Sequence, residues 1–205
     1  MPKRIGLYGG SFNPIHLGHL IVARAVAEIA GLDRLIFLPS RTPPHKTHHQ
    51  LLDAEHRAAM VRLAITDEPL FEFSDFDLTR IGPTYTIDTV RHFRPIFDAG
   101  TELFWLIGGD SLRELVTWKQ LADLVSTCTV LTATRAGFAQ VDWSSFRSFI
   151  GDDGITRLQN GMLMTPVVEI SSTDIRRRIR DRRSIRFLVT ENVRAYIETR
   201  RIYLD

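Results

Sequence analysis

The chain has 205 residues, enough for one sizeable α/β domain and too few for two of ordinary size. Its 44% hydrophobic and 24% charged residues exclude global disorder, and a net charge of +2 gives no argument of its own for a nucleic-acid or membrane partner. The single cysteine, Cys128, excludes an internal disulfide framework; it sits in a strand-like run as a core thiol and suits a reducing, cytoplasmic setting.

Lys3 and Arg4 precede an apolar stretch that Gly9, Gly10, Asn13 and Pro14 interrupt at once, so no signal-peptide pattern forms. No apolar run approaches the ~20 residues a bilayer span needs. Residues 5–8 form a short strand ending at the two glycines. Residues 18–30 read as a helix with Leu20, Ala23, Ala27 and Ala30 on one face, closed by Gly31, and residues 34–39 as a second buried strand. The opening is therefore a βαβ unit. Residues 41–52 are polar, carry Pro43, Pro44 and three histidines, and read as the loop best suited to move over a substrate. Asp53 caps a helix to about residue 66. Residues 71–78 alternate as a half-buried strand, and residues 84–97 form a helix after Pro83. Residues 103–107 are a continuous apolar strand before Gly108, Gly109 and Asp110. Short helices follow at 111–116 and 118–125, a strand at 127–132 and a weak helix at 143–150. The last strand is 162–170, then come a basic helix and a terminal helix, 191–200, capped by Thr190. This alternation predicts an α/β fold, a doubly wound, mostly parallel sheet with helices on both faces. It predicts one domain over residues 1–205, with the helical part from about 171 packed on it.

In such sheets ligands bind beyond the carboxyl ends of the strands. Gly9 and Gly10, Ser40 and Arg41, Gly108 to Asp110, and Ser171 to Thr173 each follow a predicted strand. Residues 9–19 read Gly-Gly-Ser-Phe-Asn-Pro-Ile-His-Leu-Gly-His. The glycines admit close approach of a ligand to backbone N–H groups, and the positive end of the next helix favours phosphate. His16 and His19 share a helical face if the first turn includes both, and can donate to phosphate oxygens as charge develops. Half a zinc site would look similar, but no second ligand pair accompanies it, and no metal ligands are assigned. No Gly-Lys-Ser/Thr follows, so this is not a Walker loop. At the other end, Ser171, Ser172 and Thr173 open a helix that carries Arg176, a set that caps free N–H groups and can also meet phosphate. The further arginines, from Arg177 to Arg186, read as a solvated face.

Three segments bear on an acceptor. Ser40, His45 and Lys46 lie on the polar loop, the latter two able to meet phosphate. Thr84, Tyr85 and Thr86 open a helix whose free N–H groups suit a carboxylate. Trp118 could stack on an aromatic ring or fill core.

Residues 9–19 resemble the signature of the nucleotidyltransferase superfamily related to class I aminoacyl-tRNA synthetases, with His16-Leu17-Gly18-His19 as its His-x-Gly-His element. Residues 171–176 resemble its second ATP motif. The order of Pro43-Pro44-His45-Lys46, Thr84-Tyr85-Thr86, Gly108-Gly109-Asp110-Ser111 and Trp118 resembles the bacterial nicotinate-nucleotide adenylyltransferases over nearly the whole chain. The resemblance implies a Rossmann-like fold and transfer of AMP from ATP to nicotinate mononucleotide, giving deamido-NAD and pyrophosphate. It implies ATP contacts from Gly9, Gly10, Ser11, Phe12, His16, His19, Gly108, Asp110, Ser171, Ser172, Thr173 and Arg176. Acceptor contacts would come from Ser40, His45, Lys46, the Thr84–Thr86 backbone and Trp118. His16, His19, Lys46 and Arg176 would stabilise charge at an in-line displacement that needs no general base. Mg²⁺ would enter with ATP, held mainly by phosphates and water. A homo-oligomer is compatible with this. Arg135-Ala136-Gly137 departs from the family's Arg-Pro-Gly. Transfer to nicotinamide mononucleotide or phosphopantetheine, or a non-catalytic nucleotide sensor, are the rival readings.

Overall fold

The structure, a computed structural model, describes residues 3–42, 51–134 and 141–204. The elements in order are β1 (Arg4–Gly10), α1 (Leu17–Ile29), β2 (Arg34–Pro39), α2 (Ala54–Ile65), β3 (Phe71–Phe73), α3 (Phe76–Thr79), α4 (Thr86–Phe93), β4 (Glu102–Gly108), α5 (Gly109–Glu114), α6 (Leu121–Thr127), β5 (Thr129–Thr134), α7 (Ser144–Asn160), β6 (Met162–Met164), α8 (Ser172–Arg180) and α9 (Glu191–Arg200). Two single 3₁₀ turns, Arg94–Ile96 and Leu115–Thr117, follow α4 and α5.

All five strand pairings are parallel, in the order β3-β2-β1-β4-β5-β6. Strand order reverses between β1 and β4, and that is where doubly wound sheets bind ligands. The period of two along each strand divides the core. Leu35 and Phe37 of β2, with Phe104 and Leu106 of β4, pack on one side against α1, α2, α8 and α9. Ile36 and Leu38, with Leu103, Trp105 and Ile107, pack on the other against α4, α6 and α7. Helices on both faces are thus a consequence of strands that are apolar on both faces.

The expected ends hold at several points. Gly31 (φ 58) closes α1 with the paired bonds Leu32 N–H to Ala27 and Gly31 N–H to Glu28. Thr190 caps α9 by accepting the Val193 N–H. Cys128 is buried, and burial pushes its thiol up to about 12, so it stays a neutral core group.

Other expectations are corrected. Asp53 precedes α2 but makes no side-chain cap bond. The expected strand over residues 71–78 stops at Phe73; Thr79 and Leu78 then bond back to Asp75 and close the one-turn α3. The expected strand over 162–170 stops at Met164: the Thr165 N–H makes the last ladder bond, to the Thr134 carbonyl, and Pro166 has no N–H to continue it. The helix expected at 143–150 instead extends to Asn160, across a break at Gly151 (φ 63).

Candidate functional site

β1 delivers its last residues to the switch point. A Cβ on Gly9 would lie 2.6 Å from the Trp105 indole, so this glycine makes room for that side chain. Phe12 (φ 43) is buried among Tyr8 and Phe37 and anchors the turn in the core. Asn13 and Pro14 then lead into α1.

The start of α1 is a capping box built from histidines. His16 is the N-cap; its Nδ1 accepts the His19 N–H at 3.4 Å, and His19 Nδ1 accepts the His16 N–H at 3.2 Å. The rings stack with centroids 3.7 Å apart. Gly18 is small because the His16 ring lies over it; a Cβ there would meet Nδ1 at 3.0 Å. With Nδ1 accepting from backbone on both rings, the neutral tautomer of each carries its proton on Nε2, which becomes the outward donor. His16 is 7% exposed, and burial pulls its pKa down to about 4, so it donates as a neutral ring. No acidic side chain sits in the first turn of α1 to offset the helix end.

From the other end of the chain, α8 docks against the same turn. Ser171 is its N-cap, accepting the Asp174 N–H at 3.1 Å. Ser172 Oγ donates to the Pro14 carbonyl at 2.9 Å, and Arg176 donates to the Asn13 carbonyl at 2.7 Å and to Thr173 Oγ1 at 3.3 Å. The two sequence motifs, some 150 positions apart, therefore make one surface.

A cavity of about 800 Å³ opens there. His16, Gly18, His19, Gly108, Asp110, Ser171, Ser172, Thr173 and Arg176 line it, with Ser111, Thr134 and residues 165–168 as further wall. The wall at 165–168 went unnoticed in the sequence because it reads as strand; Pro166 was the available signal. A second cavity of about 350 Å³ adjoins it, lined by Gly9, Gly10, Ser11, Phe12, Ser40, Asp77, Thr84, Thr86 and Trp118. Gly9 to Phe12 thus line the second cavity rather than the first. Tyr8, His19, Gly108 and Ser111 belong to both.

At the second cavity, the N-cap of α4 makes no side-chain cap bond among the described residues. The Thr84 N–H bonds to the Thr42 carbonyl, and the buried Thr84 hydroxyl has no partner among the described residues. Tyr85 is the N-cap of α4, its ring 4.6 Å beneath Lys119 Nζ rather than in the cavity lining. Ser40 is tied by N–H and hydroxyl to the Gly10 carbonyl. Asp77, which sequence reasoning missed, is 2% exposed; burial raises its pKa to about 6. It accepts from Thr89 Oγ1 at 2.7 Å and pairs with Arg80 at 3.5 Å, which braces α4 against α3. Arg57 was missed too. It is 1% exposed and donates to the carbonyls of Ser11, Ser40, Arg41 and Leu52, holding together the turns after β1 and β2. His45, Lys46 and the Arg135-Ala136-Gly137 segment lie outside the described residues.

A helix N-terminus carrying two stacked imidazoles, with adjoining cavities at a doubly wound switch point, is an arrangement suited to nucleotidyl transfer. Residues 7–178 match the cytidylyltransferase-like family. The chain is 42% identical over 203 residues to a probable nicotinate-nucleotide adenylyltransferase of Symbiobacterium thermophilum, covering 98% of this chain and 95% of that one. It is 38% identical over 202 residues to the one of Moorella thermoacetica, covering 98% and 92%. The fold is similar to that of Plasmodium falciparum nicotinic acid mononucleotide adenylyltransferase, solved as its complex with NaAD, with a TM-score of 0.76 at 19% identity over 98% of this chain and 97% of that one. The chain belongs to the nicotinate-nucleotide adenylyltransferase family and is an adenylyltransferase that uses ATP. Among the described residues no helix is long and apolar enough to cross a membrane.

Proposed function

We propose that the chain joins ATP to nicotinate mononucleotide at the junction of the two cavities, releasing pyrophosphate and leaving deamido-NAD. The observation that carries this reading is that His19, at the α1 N-terminus, lines both cavities. ATP occupies the larger one, its phosphates toward His16, His19, the α8 N-terminus and Arg176. The acceptor occupies the smaller one, its pyridine against Trp118 and its carboxylate toward the α4 N-terminus and the Thr84 hydroxyl, which has no partner among the described residues.

The acceptor's 5′-phosphate oxygen forms a bond to the α-phosphorus of ATP as the bond to the β-phosphate bridging oxygen breaks. The nucleophile is already ionised, and pyrophosphate leaves with the electron pair, so no side chain has to move a proton. The residues position the two phosphates and stabilise charge on the transferring group. Lys46 has the same role from the polar loop. Mg²⁺ arrives as the complex with ATP. Among the described residues no cluster of three histidine, cysteine or carboxylate groups could hold a metal, and Asp110 offers a single carboxylate at the cavity edge. The chain acts as one domain, since Ile175, Ile179, Val193, Ile197 and Ile202 share a core with α1 and α2. The buried reduced thiol of Cys128 fits work in the cytoplasm.

Pyrophosphate release from Mg-ATP with nicotinate mononucleotide, compared with the nicotinamide and phosphopantetheine acceptors, tests this. We expect the acid to be preferred by at least about tenfold, the value of one good charge-assisted contact. Preference for the amide would overturn the carboxylate assignment, and no release with any acceptor would favour a nucleotide sensor.

A further inference from the structure

The last residues of the chain return to the first functional turn. The Tyr203 hydroxyl donates to Asn13 Oδ1 at 2.7 Å, a contact across 190 positions of sequence. The Leu52 N–H donates to the same oxygen at 3.3 Å, which fixes the amide's orientation. Asn13 is 3% exposed, and its own carbonyl is the acceptor for Arg176. The tail reaches this point through left-handed backbone at Arg201 (φ 54) and Tyr203 (φ 65), with Ile202 buried between them. Non-glycine residues seldom occupy that region, and they persist there when surrounding contacts over-determine them. Burial raises the Tyr203 pKa while the charges of Arg176 and Arg57 oppose the rise, so the phenol stays a neutral donor.

We propose that Tyr203 is a positioning residue for adenylyl transfer: its hydroxyl fixes Asn13, and the Asn13 carbonyl holds Arg176 in the orientation that meets ATP phosphate. This rests on the role given to Arg176 above. Tyr203 touches no reacting atom; it acts through the turn. The C-terminal tail thereby supports the proposed ATP site, through the Tyr203 hydroxyl on Asn13.

Tyr203→Phe removes that oxygen and keeps the ring. We expect kcat to fall about tenfold, with KM for the nicotinate acceptor within about twofold and the melting temperature nearly unchanged. In an Arg176→Ala background the same change should alter kcat by less than about twofold, because the residue it acts through is gone. An unchanged kcat in the otherwise wild-type protein, or an equal proportional loss in both backgrounds, overturns the proposal. Mg-ATP binding by calorimetry reads the same cycle without turnover: Tyr203→Phe should weaken it only when Arg176 is present. Absence of pyrophosphate release by the wild-type protein would therefore count against the functional reading alone.

Discussion

The two histidines of the first turn meet the backbone through Nδ1 and, in the proposed reaction, the ligand through Nε2. Each Nδ1 closes half of the capping box, so a substitution has a structural cost separable from its catalytic one. His19→Ala should lower kcat by about 10²–10³, the range for losing one donor to a developing oxyanion. The lost cap should cost only about 1 kcal/mol in a urea unfolding midpoint. A kcat within tenfold of wild type would remove His19 from the mechanism. His16 makes a prediction of another kind. Burial keeps it neutral down to about pH 4 in the folded protein, whereas the unfolded chain protonates it near 6.5. The unfolded state takes up more protons between those values, so stability falls as pH drops through that window, by on the order of 3 kcal/mol for a shift of this size. His16→Asn retains a capping oxygen and removes the titration. Unfolding midpoints at pH 7 and pH 5 should therefore differ less in the variant than in the wild-type protein. Both residues are legible in the sequence from type and spacing. Their tautomers are not, because these depend on which backbone N–H groups the folded turn presents.

Between elements, the tightest restraint described is at the end of α7. A Cβ on Gly161 would lie 2.0 Å from the Val130 carbonyl oxygen of β5, a backbone atom that cannot move without disturbing the sheet. Gly161→Ala should therefore destabilise by about 2–4 kcal/mol, the scale of overpacking in a rigid core. A thermal midpoint within a degree of wild type would refute the contact. The sequence shows a glycine here and nothing of what it faces. The same limit explains which elements were readable. The central strands announce themselves because both of their faces are buried. The alternation misleads, because it slips by one after Phe73, with Phe71 and Phe73 on one face and Phe76 and Leu78 on the other, and Asp77 is buried with Thr89 and Arg80, partners from later in the chain. The second half of α7 was hidden by its break: Gly151, Asp152, Asp153 and Gly154 are poor helix formers. In the fold Gly154 packs against Ile150, where a larger residue would clash.

Across the whole molecule, the reversal of strand order between β1 and β4 puts the two cavities side by side and gives each its own supporting elements. α8 and the segment 165–168 wall the larger cavity, while α4 and the turn after α5 wall the smaller one. The motifs for each were visible separately in the sequence. Their junction at Tyr8, His19, Gly108 and Ser111 was not, since it arises only when β1 and β4 lie adjacent. This division predicts that the binding of the two substrates can be damaged independently. Trp118 lines the smaller cavity, where the acceptor is proposed to bind, and not the larger one, and a stacking contact is worth about 1–2 kcal/mol. Trp118→Ala should therefore raise KM for nicotinate mononucleotide by about tenfold and leave KM for ATP within about twofold. Arg176 lines only the other cavity, and Arg176→Ala should raise KM for ATP and lower kcat while sparing the acceptor KM. Initial-rate matrices over both substrates measure all four constants. Parallel changes in both KM values for either variant would mean that the cavities are one binding unit. Opposed changes would place the two substrates on either side of His19, with the transferring phosphorus between them.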